Sequence, residues 1–179
     1  MTTEEHILAV AADLLETEGV AAVTTRAVCK AAGVTAPTLY HHFGDKNGLL
    51  GAVITQGLNT FMARKRARRQ TSDALSDLKR GWNSWIDFAA QRPQLFRLVA
   101  ERMRADAGTT QEAFVMMRGA VERLAGEGRL TTDIDTAARA IWAGSNGVHV
   151  LFTQGDTPAL IRSASELLFE ALMARLLKD

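Results

Sequence analysis

TTRAVCKAAGVTAPTLYHHFGDK, residues 24–46, contains two short helix-forming segments separated by a tight turn. Thr25 is placed to cap a first helix over residues 26–32, because a threonine hydroxyl accepts a hydrogen bond from an amide of the first turn. Gly33 suits the left-handed backbone with which many helices end, and Val34 can then fold back toward a core. The first half of this stretch therefore predicts one short helix and the turn that follows it.

The second half of the stretch predicts another short helix. Thr35 can cap it, and Pro37 falls in its first turn, where the missing amide hydrogen costs nothing. Gly44 ends this helix, and Asp45 can cap the next one. Two helices joined by a glycine-containing turn form a helix-turn-helix motif, whose second helix reads base edges in the DNA major groove. We therefore interpret residues 24–46 as a DNA-reading motif.

The composition sets broad limits on function. The chain has 179 residues, 47% of them hydrophobic, which is enough to bury a core in one or two domains. A net charge of +1 is too small to indicate a nucleic-acid binder by itself, and the single cysteine, Cys29, excludes an intramolecular disulfide and a multi-cysteine zinc site. No apolar run approaches the roughly 20 residues of a membrane span, and the first residues do not resemble a signal peptide. We expect a soluble, cytoplasmic protein without a membrane, metal or cofactor partner.

Helical periodicity covers nearly all of the chain. Apolar residues at three- and four-residue steps predict a first helix over residues 3–18 and a long helix over about residues 45–70. Further helices are predicted to end near residue 91, to begin at Pro93, and to cover about residues 110–125, 134–154 and 158–177. The pattern predicts an all-α fold.

The motif residues resemble those of the tetracycline-repressor (TetR) family of bacterial transcription regulators. The residues that carry this resemblance are Thr25, Arg26, Ala32-Gly33-Val34, Pro37-Thr38-Leu39-Tyr40, His42-Phe43, Lys46 and Leu49. Residues 87–99, DFAAQRPQLFRLV, are similar to a segment common in the family. Trp142 followed by Asn146 and Gly147 is similar to a pattern of Trp, His and Gly in many relatives, with Asn146 in place of the histidine.

The resemblance implies an overall organisation. We expect an N-terminal three-helix helix-turn-helix DNA-binding domain over residues 1–46 and a helical ligand-binding and dimerisation domain over residues 47–179, with about nine helices in total. A protein of this kind binds a double-stranded DNA operator as a homodimer and responds to a small-molecule effector.

The resemblance also implies DNA contacts by residues in and beside the motif. These are Thr25, Arg26, Thr35, Ala36, Pro37, Thr38, Tyr40, His41, His42 and Lys46. Arg26 can bond guanine O6 and N7 together through its planar guanidinium group. Lys46 can hold a phosphate, and Pro37 can offer an apolar face to a thymine methyl group. Ala36 carries only a methyl group where some relatives have a longer polar side chain, so we expect DNA shape to contribute to sequence choice.

Other motif residues allow more than one interpretation. Leu39 and Phe43 lie four residues apart and are expected to face the core rather than DNA. Tyr40 either bonds a phosphate through its hydroxyl or is a partly buried structural residue. His41 either reads a base or is solvated, and His42 is a secondary candidate for a phosphate contact.

A basic run, RKRARR, occupies residues 64–69. It lies about 20 positions beyond Lys46, which corresponds to roughly 30 Å along a straight helix at a rise of 1.5 Å per residue. That distance argues against contact with the same DNA surface. We expect these residues to lie at the negative end of the long helix or to be solvated on the body.

The last two helices are predicted to form the homodimer interface. Their apolar stripe comprises Leu160, Ala164, Leu167, Leu168, Ala171, Leu172 and Leu176, and the small residues that leave room for close approach are Ala140, Ala143, Gly144 and Gly147. Two such helices from each subunit would form a four-helix bundle. An ordinary core within one chain is the alternative.

The resemblance further implies a small-molecule pocket in the body. Candidate lining residues are Trp82, Trp85, Phe88, Phe96, Met103, Phe114, Met117, Trp142, Asn146, His149 and Phe152. Each of these residue types is also typical of a helical core. Together, with Asn146 and His149 as polar groups, they favour a mostly apolar or aromatic ligand. The stripes contain no evident charge, so a strongly ionic ligand is not expected.

These observations predict a ligand-responsive repressor, released from a palindromic operator by its effector. The alternative is a helical protein-interaction module or a ligand-binding protein without sequence-specific DNA binding. An enzyme is not expected, because the chain has no arrangement of nucleophile and base, no metal-ligand spacing and no glycine-rich phosphate loop.

Overall fold

The computed structural model describes residues 1–178, which form nine α-helices and one short 3₁₀ helix at Ala107–Thr110. The α-helices are α1 (Thr3–Glu18), α2 (Thr25–Ala32), α3 (Ala36–Phe43), α4 (Lys46–Arg66), α5 (Ala74–Gln91), α6 (Pro93–Ala105), α7 (Gln111–Gly126), α8 (Ile134–Gln154) and α9 (Pro158–Leu176). Strand pairing in this part of the chain is limited to an isolated bridge between Leu130 and Leu177. The predicted all-α fold with about nine helices is confirmed.

The fourth helix is shorter than predicted. It ends at Arg66 rather than near residue 70. The backbone amide and hydroxyl of Thr71 donate hydrogen bonds to the Asp77 carboxylate at 3.0 and 2.9 Å, and Asp73 accepts hydrogen bonds from the first amides of α5. These bonds hold the residues between α4 and α5 in a turn, because they satisfy the polar groups that a continued helix would use.

The first compact unit consists of Met1–Arg64 and Arg92–Glu101. Its core contains the fully buried side chains Ile7, Leu15, Val28, Leu39, Leu49 and Phe96. The Glu16 carboxylate of α1 accepts hydrogen bonds from the first amides of α6, including that of Leu95 at 3.0 Å. A Cβ atom on Gly57 would lie 2.5 Å from a Leu95 methyl group, so α4 and α6 approach closely at that point.

The second compact unit consists of Lys65–Gln91 and the chain from Arg102 onward. Helices α5, α7, α8 and α9 bury Leu78, Val121, Leu124, Ile141, Ile161 and Phe169 between them. The Trp82 indole donates a hydrogen bond to the Ser165 hydroxyl at 2.7 Å within this core. The bond satisfies both buried polar groups and ties α5 to α9.

Two glycines of α8 differ in their surroundings. A Cβ atom on Gly144 would lie 2.9 Å from Leu172 and 3.4 Å from the Trp82 ring, so the packing of α8 against α9 and α5 uses the missing side chain. Gly147 is exposed, and a Cβ atom there would meet no other atom within 4 Å among the described residues. Gly144 therefore lies where α8 packs against other helices, whereas Gly147 lies on the exposed surface of α8.

The predicted apolar stripe of α9 also divides. Leu160 and Leu167 are 58% and 70% exposed, and Ala171 is exposed beside them. Leu176 is buried, which corrects its assignment to the interface stripe. It belongs to the core of its own unit, because the helical turn carries it to the face opposite Leu167.

No helix within residues 1–178 is both long and apolar enough to cross a membrane. The compact units group α4 as far as Arg64 with the helices before it, whereas the predicted domain boundary lies between residues 46 and 47. That boundary stays a prediction, because it separates functions and compactness alone does not test it.

Candidate DNA interface and ligand cavity

The first motif helix is capped one residue earlier than predicted. Thr24 has an extended backbone, and its hydroxyl accepts a hydrogen bond from the Ala27 amide at 3.2 Å. Thr25, the predicted cap, is instead the first residue of α2 and is half-buried. Either threonine has the required hydroxyl, and only the backbone conformation decides which one caps the helix.

The turn and the second motif helix have the predicted form. Gly33 adopts the left-handed conformation (φ 66°, ψ 29°), and the Val34 amide donates to the Cys29 carbonyl at 3.1 Å. The Thr35 hydroxyl accepts a hydrogen bond from the Thr38 amide at 3.4 Å, and the two hydroxyl oxygens lie 2.9 Å apart. These bonds hold the start of α3 rigid, which is a requirement for a helix that reads DNA.

Asp45 caps the helix that follows the motif, as predicted. Its carboxylate accepts a hydrogen bond from the Gly48 amide at 2.8 Å. Lys46, the first residue of α4, is half-buried, and its ammonium group lies 3.5 Å from the Val20 carbonyl. The Lys46 side chain therefore points toward the segment that connects α1 and α2.

Helix α3 has one buried face and one exposed face. Leu39 is fully buried and Phe43 is 9% exposed, so the prediction that both face the core is confirmed. Tyr40 is 49% exposed. The exposed face also carries Ala36, Pro37, His41 and His42, and the other predicted DNA contacts are exposed (Arg26, Thr35) or half-buried (Thr38). Most of the predicted contact residues are therefore exposed, whereas Thr25, Thr38 and Lys46 are half-buried.

A cavity of 320 Å³ lies in the second unit, between the end of α4 and helices α5, α7 and α8. Its larger apolar lining residues are Leu78, Trp82, Trp85, Met116, Met117, Ile141 and Trp142, which include all three tryptophans of the chain. The volume is at the lower end of the range of about 300–1,000 Å³ that is usual for ligand pockets. The cavity is large enough for a small organic molecule.

The predicted pocket residues fall into three groups. Those that line the cavity are Trp82, Trp85, Met117 and Trp142. A second group packs behind the lining: Phe88 stacks on Trp85 with ring centres 5.7 Å apart, His149 meets Trp85 edge-on at 5.2 Å, and Phe114 meets Trp142 edge-on at 5.5 Å. These rings position the tryptophans and do not line the cavity.

The remaining predicted pocket residues lie elsewhere. Phe152 is buried with its ring centre 6.5 Å from that of His149, and Met103 is half-buried on α6. The Asn146 side-chain oxygen is buried and has no hydrogen-bond partner among the described residues. Phe96 is buried in the core of the first unit.

His149 is a buried titratable group within the aromatic cluster. Its side chain is about 5% exposed, and this burial lowers the pKa of the imidazole to about 3. The ring is therefore neutral at pH 7.

Basic residues form the other part of the cavity lining, which sequence reasoning did not assign to the ligand site. Within the described chain they are Lys65, Arg66, Arg68, Arg69, Arg80 and Arg123. Three residues of the predicted solvated run, Arg66, Arg68 and Arg69, are exposed as expected, yet they also face the cavity. The cavity lining is therefore charged in part, although the apolar stripes in the sequence contain no evident charge.

Asp77 is the acidic residue of the lining. Its side chain is 9% exposed and pairs with Arg80 and with Arg123, whose guanidinium lies 2.6 Å from the carboxylate. Hydrogen bonds, first from Arg123 and then from Thr71, lower the pKa of Asp77 to about 2. The carboxylate is therefore ionised at neutral pH and neutralises part of the arginine charge.

A sequence signal for the basic lining existed. The run at residues 64–69 directly precedes the aromatic-rich helix α5. Sequence spacing does not reveal that the intervening turn brings the two together, because the turn depends on contacts among Thr71, Asp77 and Arg123, and Arg123 lies 46 residues beyond Asp77.

Two family models match the chain. The model described as bacterial regulatory proteins, tetR family, matches residues 7–53. The model described as the tetracyclin repressor-like C-terminal domain matches residues 78–176, more than half of the chain. The chain belongs to the TetR family. It is a transcriptional regulator with a helix-turn-helix DNA-binding domain, as the motif predicted.

Known relatives agree with the TetR assignment. The HTH-type transcriptional regulator UidR of Escherichia coli is 34% identical over 64 residues, which span 36% of this chain and about a third (33%) of that relative's length. A TetR-family regulator from Pectobacterium atrosepticum has the same fold, with a TM-score of 0.78 at 23% identity over 98% of this chain and 95% of its own. A regulator from Saccharomonospora viridis, solved in complex with choline, has a TM-score of 0.78 at 14% identity over 98% of both chains.

The TetR family typically uses dimers and small-molecule effectors, and its members are generally not enzymes. Among the described residues, no three or more histidine, cysteine, aspartate or glutamate side chains are grouped so that they could hold a metal ion.

Proposed function

We propose that this chain represses transcription by binding a palindromic operator as a homodimer, and that a small molecule with a mostly apolar or aromatic body releases it. The observation that carries the proposal is the division of α3 into a buried face, with Leu39 and Phe43, and an exposed face, with Tyr40, His41 and Pro37. A helix held in this way presents its exposed face to the DNA major groove.

The proposed contacts have separate roles. Thr25, Thr38, Tyr40 and Lys46 bind phosphates and set the register of the protein on the duplex, with Thr35 and His42 beside them. This group carries little sequence information. Mutations in it are therefore expected to weaken specific and nonspecific binding alike.

Base recognition rests on fewer side chains. Arg26 is exposed at the start of α2 and can reach guanine, and Pro37 and Ala36 offer apolar contacts to thymine methyl groups. His41 is exposed and is a further candidate for a base contact. Because Ala36 forms no hydrogen bond through its side chain, we expect DNA shape to supply part of the specificity.

A homodimer doubles this small reading surface. The exposed apolar residues Leu160 and Leu167 of α9, with Val150 of α8, support an interface on these last two helices. Exposed Ala143 and Gly147 of α8 leave space for a partner helix. A two-fold interface of this kind relates two DNA half-sites by the same symmetry.

Release follows from linkage. A ligand that binds more tightly to the conformation with lower DNA affinity weakens DNA binding by its differential affinity, typically about 1–3 kcal/mol. Helix α4 begins at Lys46 and ends at Arg66, which lines the cavity. We propose that this helix carries the change from the ligand site to the motif.

A binding-site selection on random and genomic DNA tests the function. One enriched palindrome bound by a dimer is expected. An absence of enrichment, with normal folding and ligand binding, would instead favour the alternative of a ligand-binding or protein-interaction module. Sedimentation at micromolar concentration gives the oligomeric state, and a monomer under the conditions of DNA binding contradicts the homodimer.

A further inference from the structure

The cavity lining combines basic side chains with large apolar side chains. Six basic residues and one acidic residue, Asp77, line it within the described chain, beside an apolar wall that includes every tryptophan of the protein. Arg66, Arg68, Arg69 and Arg80 are exposed, so they keep their charge at little cost beside the cavity and can attract an anionic ligand group. The charge distribution therefore carries information about the ligand.

Residues 65–70, which we term the basic segment, follow the cavity from one end of α7 to the other. At the first end, Arg66 pairs with Glu112 at the start of α7. At the other end, the backbone carbonyl of Thr71 accepts a hydrogen bond at 2.6 Å from Arg123 near the end of α7. The interval from Glu112 to Arg123 corresponds to about 16 Å along a helix. The basic segment is thus anchored at both ends and crosses the cavity between them.

Internal ion pairs neutralise only part of the charge. Asp77 is shared between Arg80 and Arg123, and Glu112 pairs with Arg66. Two acidic groups therefore serve three of the six basic residues. Arg68 and Arg69 also line the cavity, and neither forms an ion pair with a described residue. The lining therefore carries more positive than negative charge.

Lys65 is a half-buried cation of the basic segment. Burial, and in second place the positive charge of Arg68, lower the pKa of its ammonium group. Its aliphatic stem lies beside Gly81 of α5, where a Cβ atom would be 3.9 Å from the lysine Cε. An anion in the cavity would offset the positive charge of Arg68 and so raise the pKa of the ammonium group toward its ordinary value.

Another part of the lining is apolar. Trp82, Trp85 and Ile141 are each no more than 5% exposed, and Met117 and Trp142 complete the surface. Aromatic rings and flexible methionine side chains suit a flat or branched hydrocarbon body. An amphipathic ligand would place its charged end against the basic residues and its apolar body against these side chains.

We propose that the effector of this regulator is a small amphipathic carboxylate, whose anionic group binds the basic segment and whose apolar body packs against Trp82, Trp85 and Met117. Calling the ligand an effector rests on the proposed function. The proposal deepens that function by naming the chemical class of the ligand. Planar guanidinium groups such as those of Arg68 and Arg69 suit a carboxylate, because two parallel N–H groups can bond its two oxygens.

A matched series of three compounds tests the class: 3-phenylpropionate, 3-phenylpropanol and 3-phenylpropylammonium. They share the body and differ in the charge of one end. Binding to the full chain without DNA is followed by calorimetry and by tryptophan fluorescence, which reports on the cavity because all three tryptophans line it. We expect the carboxylate to bind at least about tenfold more tightly than the alcohol, with the ammonium compound weakest. Added salt should weaken binding of the carboxylate more than binding of the alcohol.

Substitutions in the basic segment test where the anionic group of the ligand binds. Arg68→Gln combined with Arg69→Gln should weaken carboxylate binding about tenfold and leave alcohol binding unchanged. The control, Arg64→Gln combined with Arg104→Gln, removes the same charge from exposed residues that do not line the cavity. It should change neither affinity. Unchanged alcohol binding also shows that the variant cavity is folded.

Three results would overturn the proposal. They are equal or tighter binding of the alcohol or ammonium compound, no binding of the carboxylate at millimolar concentration, and equal losses in the cavity variant and its control. The proposed function fails separately. If the carboxylate binds selectively but no operator is enriched, the ligand class stands and the regulator does not, whereas an enriched operator without carboxylate selectivity gives the reverse conclusion.

Discussion

The DNA-reading motif and the cavity differ in how far apart in the sequence their residues lie. The DNA-reading motif is one continuous stretch, and its caps, turn and exposed face follow from residues within 23 positions of one another. The cavity brings together side chains from Lys65 to Ser145, which come from four helices and a turn. The comparison shows that the residues of a site are easily predicted where local hydrogen bonds bring them together. They are hard to predict where contacts between distant parts of the chain do so.

The largest effect should separate the two faces of α3. Leu39→Ala removes a fully buried side chain and should lower the free energy of unfolding by about 2–5 kcal/mol. Tyr40→Ala, one residue later and 49% exposed, should change stability by less than about 1 kcal/mol. Denaturant unfolding of both variants checks this. Similar losses would mean that the local motif does not divide into core and DNA-facing residues as described.

The next effect concerns the cavity region and pH. The pKa of His149 is about 3 in the folded state and near 6.5 in the unfolded state, so below pH 6.5 the unfolded chain binds a proton that the folded chain excludes. Stability should therefore fall as pH decreases from 6.5 toward 3, by about 2–3 kcal/mol over the first two pH units. Denaturant titrations across this range measure the slope.

Two variants isolate the contribution of His149. His149→Phe keeps an aromatic ring beside Trp85 and should flatten the pH dependence in this window. His41→Gln removes an exposed histidine of α3 and should leave the slope as in the unmodified chain. An equal slope in all three proteins would contradict the role of the buried imidazole.

A third effect tests how the motif reads DNA. Arg26→Ala should weaken binding to the selected operator by about 1–3 kcal/mol and relax base preference at the positions it contacts. Fluorescence anisotropy with the operator and with single-base variants measures both. Loss of affinity without loss of preference would move Arg26 from base recognition to phosphate binding.

Lys46→Ala provides the contrast. It should weaken binding to all sequences to a similar degree and reduce the slope of log affinity against log salt by about 1. Salt titrations of both variants distinguish the two roles. If neither substitution changes affinity, the proposed contacts are wrong.

The smallest effect sharpens the description of the body. Alanine in place of a helical glycine usually stabilises a helix by up to about 1 kcal/mol. Gly119→Ala of α7 should show this gain, because a Cβ atom there meets nothing within 4 Å among the described residues. Gly144→Ala should lose it, since the new methyl group would press on Leu172 and Trp82. Thermal unfolding compares the two, and an equal gain in both would contradict the close packing of α8.

Local residues explain most of what could be predicted. The caps at Thr35 and Asp45, the turn at Gly33 and the burial of Leu39 and Phe43 all follow from neighbours in the sequence. The one correction within the motif, capping by Thr24 instead of Thr25, is a shift of one residue between identical side chains.

The cavity shows why the rest could not be predicted. Phe88, Phe114 and His149 are aromatic and fit the same helical pattern as Trp85 and Trp142. They nevertheless contact these tryptophans and do not line the cavity. Helical period tells which residues share a face. It does not tell whether that face meets a cavity or another side chain.

The sequence by itself determined the helices, the motif and the TetR resemblance, because hydrophobic period and capping act over a few residues. Only the tertiary structure decided that α4 ends at Arg66 and that Arg68 and Arg69 face the tryptophans. The hydrogen bonds among Thr71, Asp77 and Arg123 hold this arrangement, and they require α7 to lie beside α5. The charge of the cavity lining is therefore a property of the fold, although each charged residue is visible in the sequence.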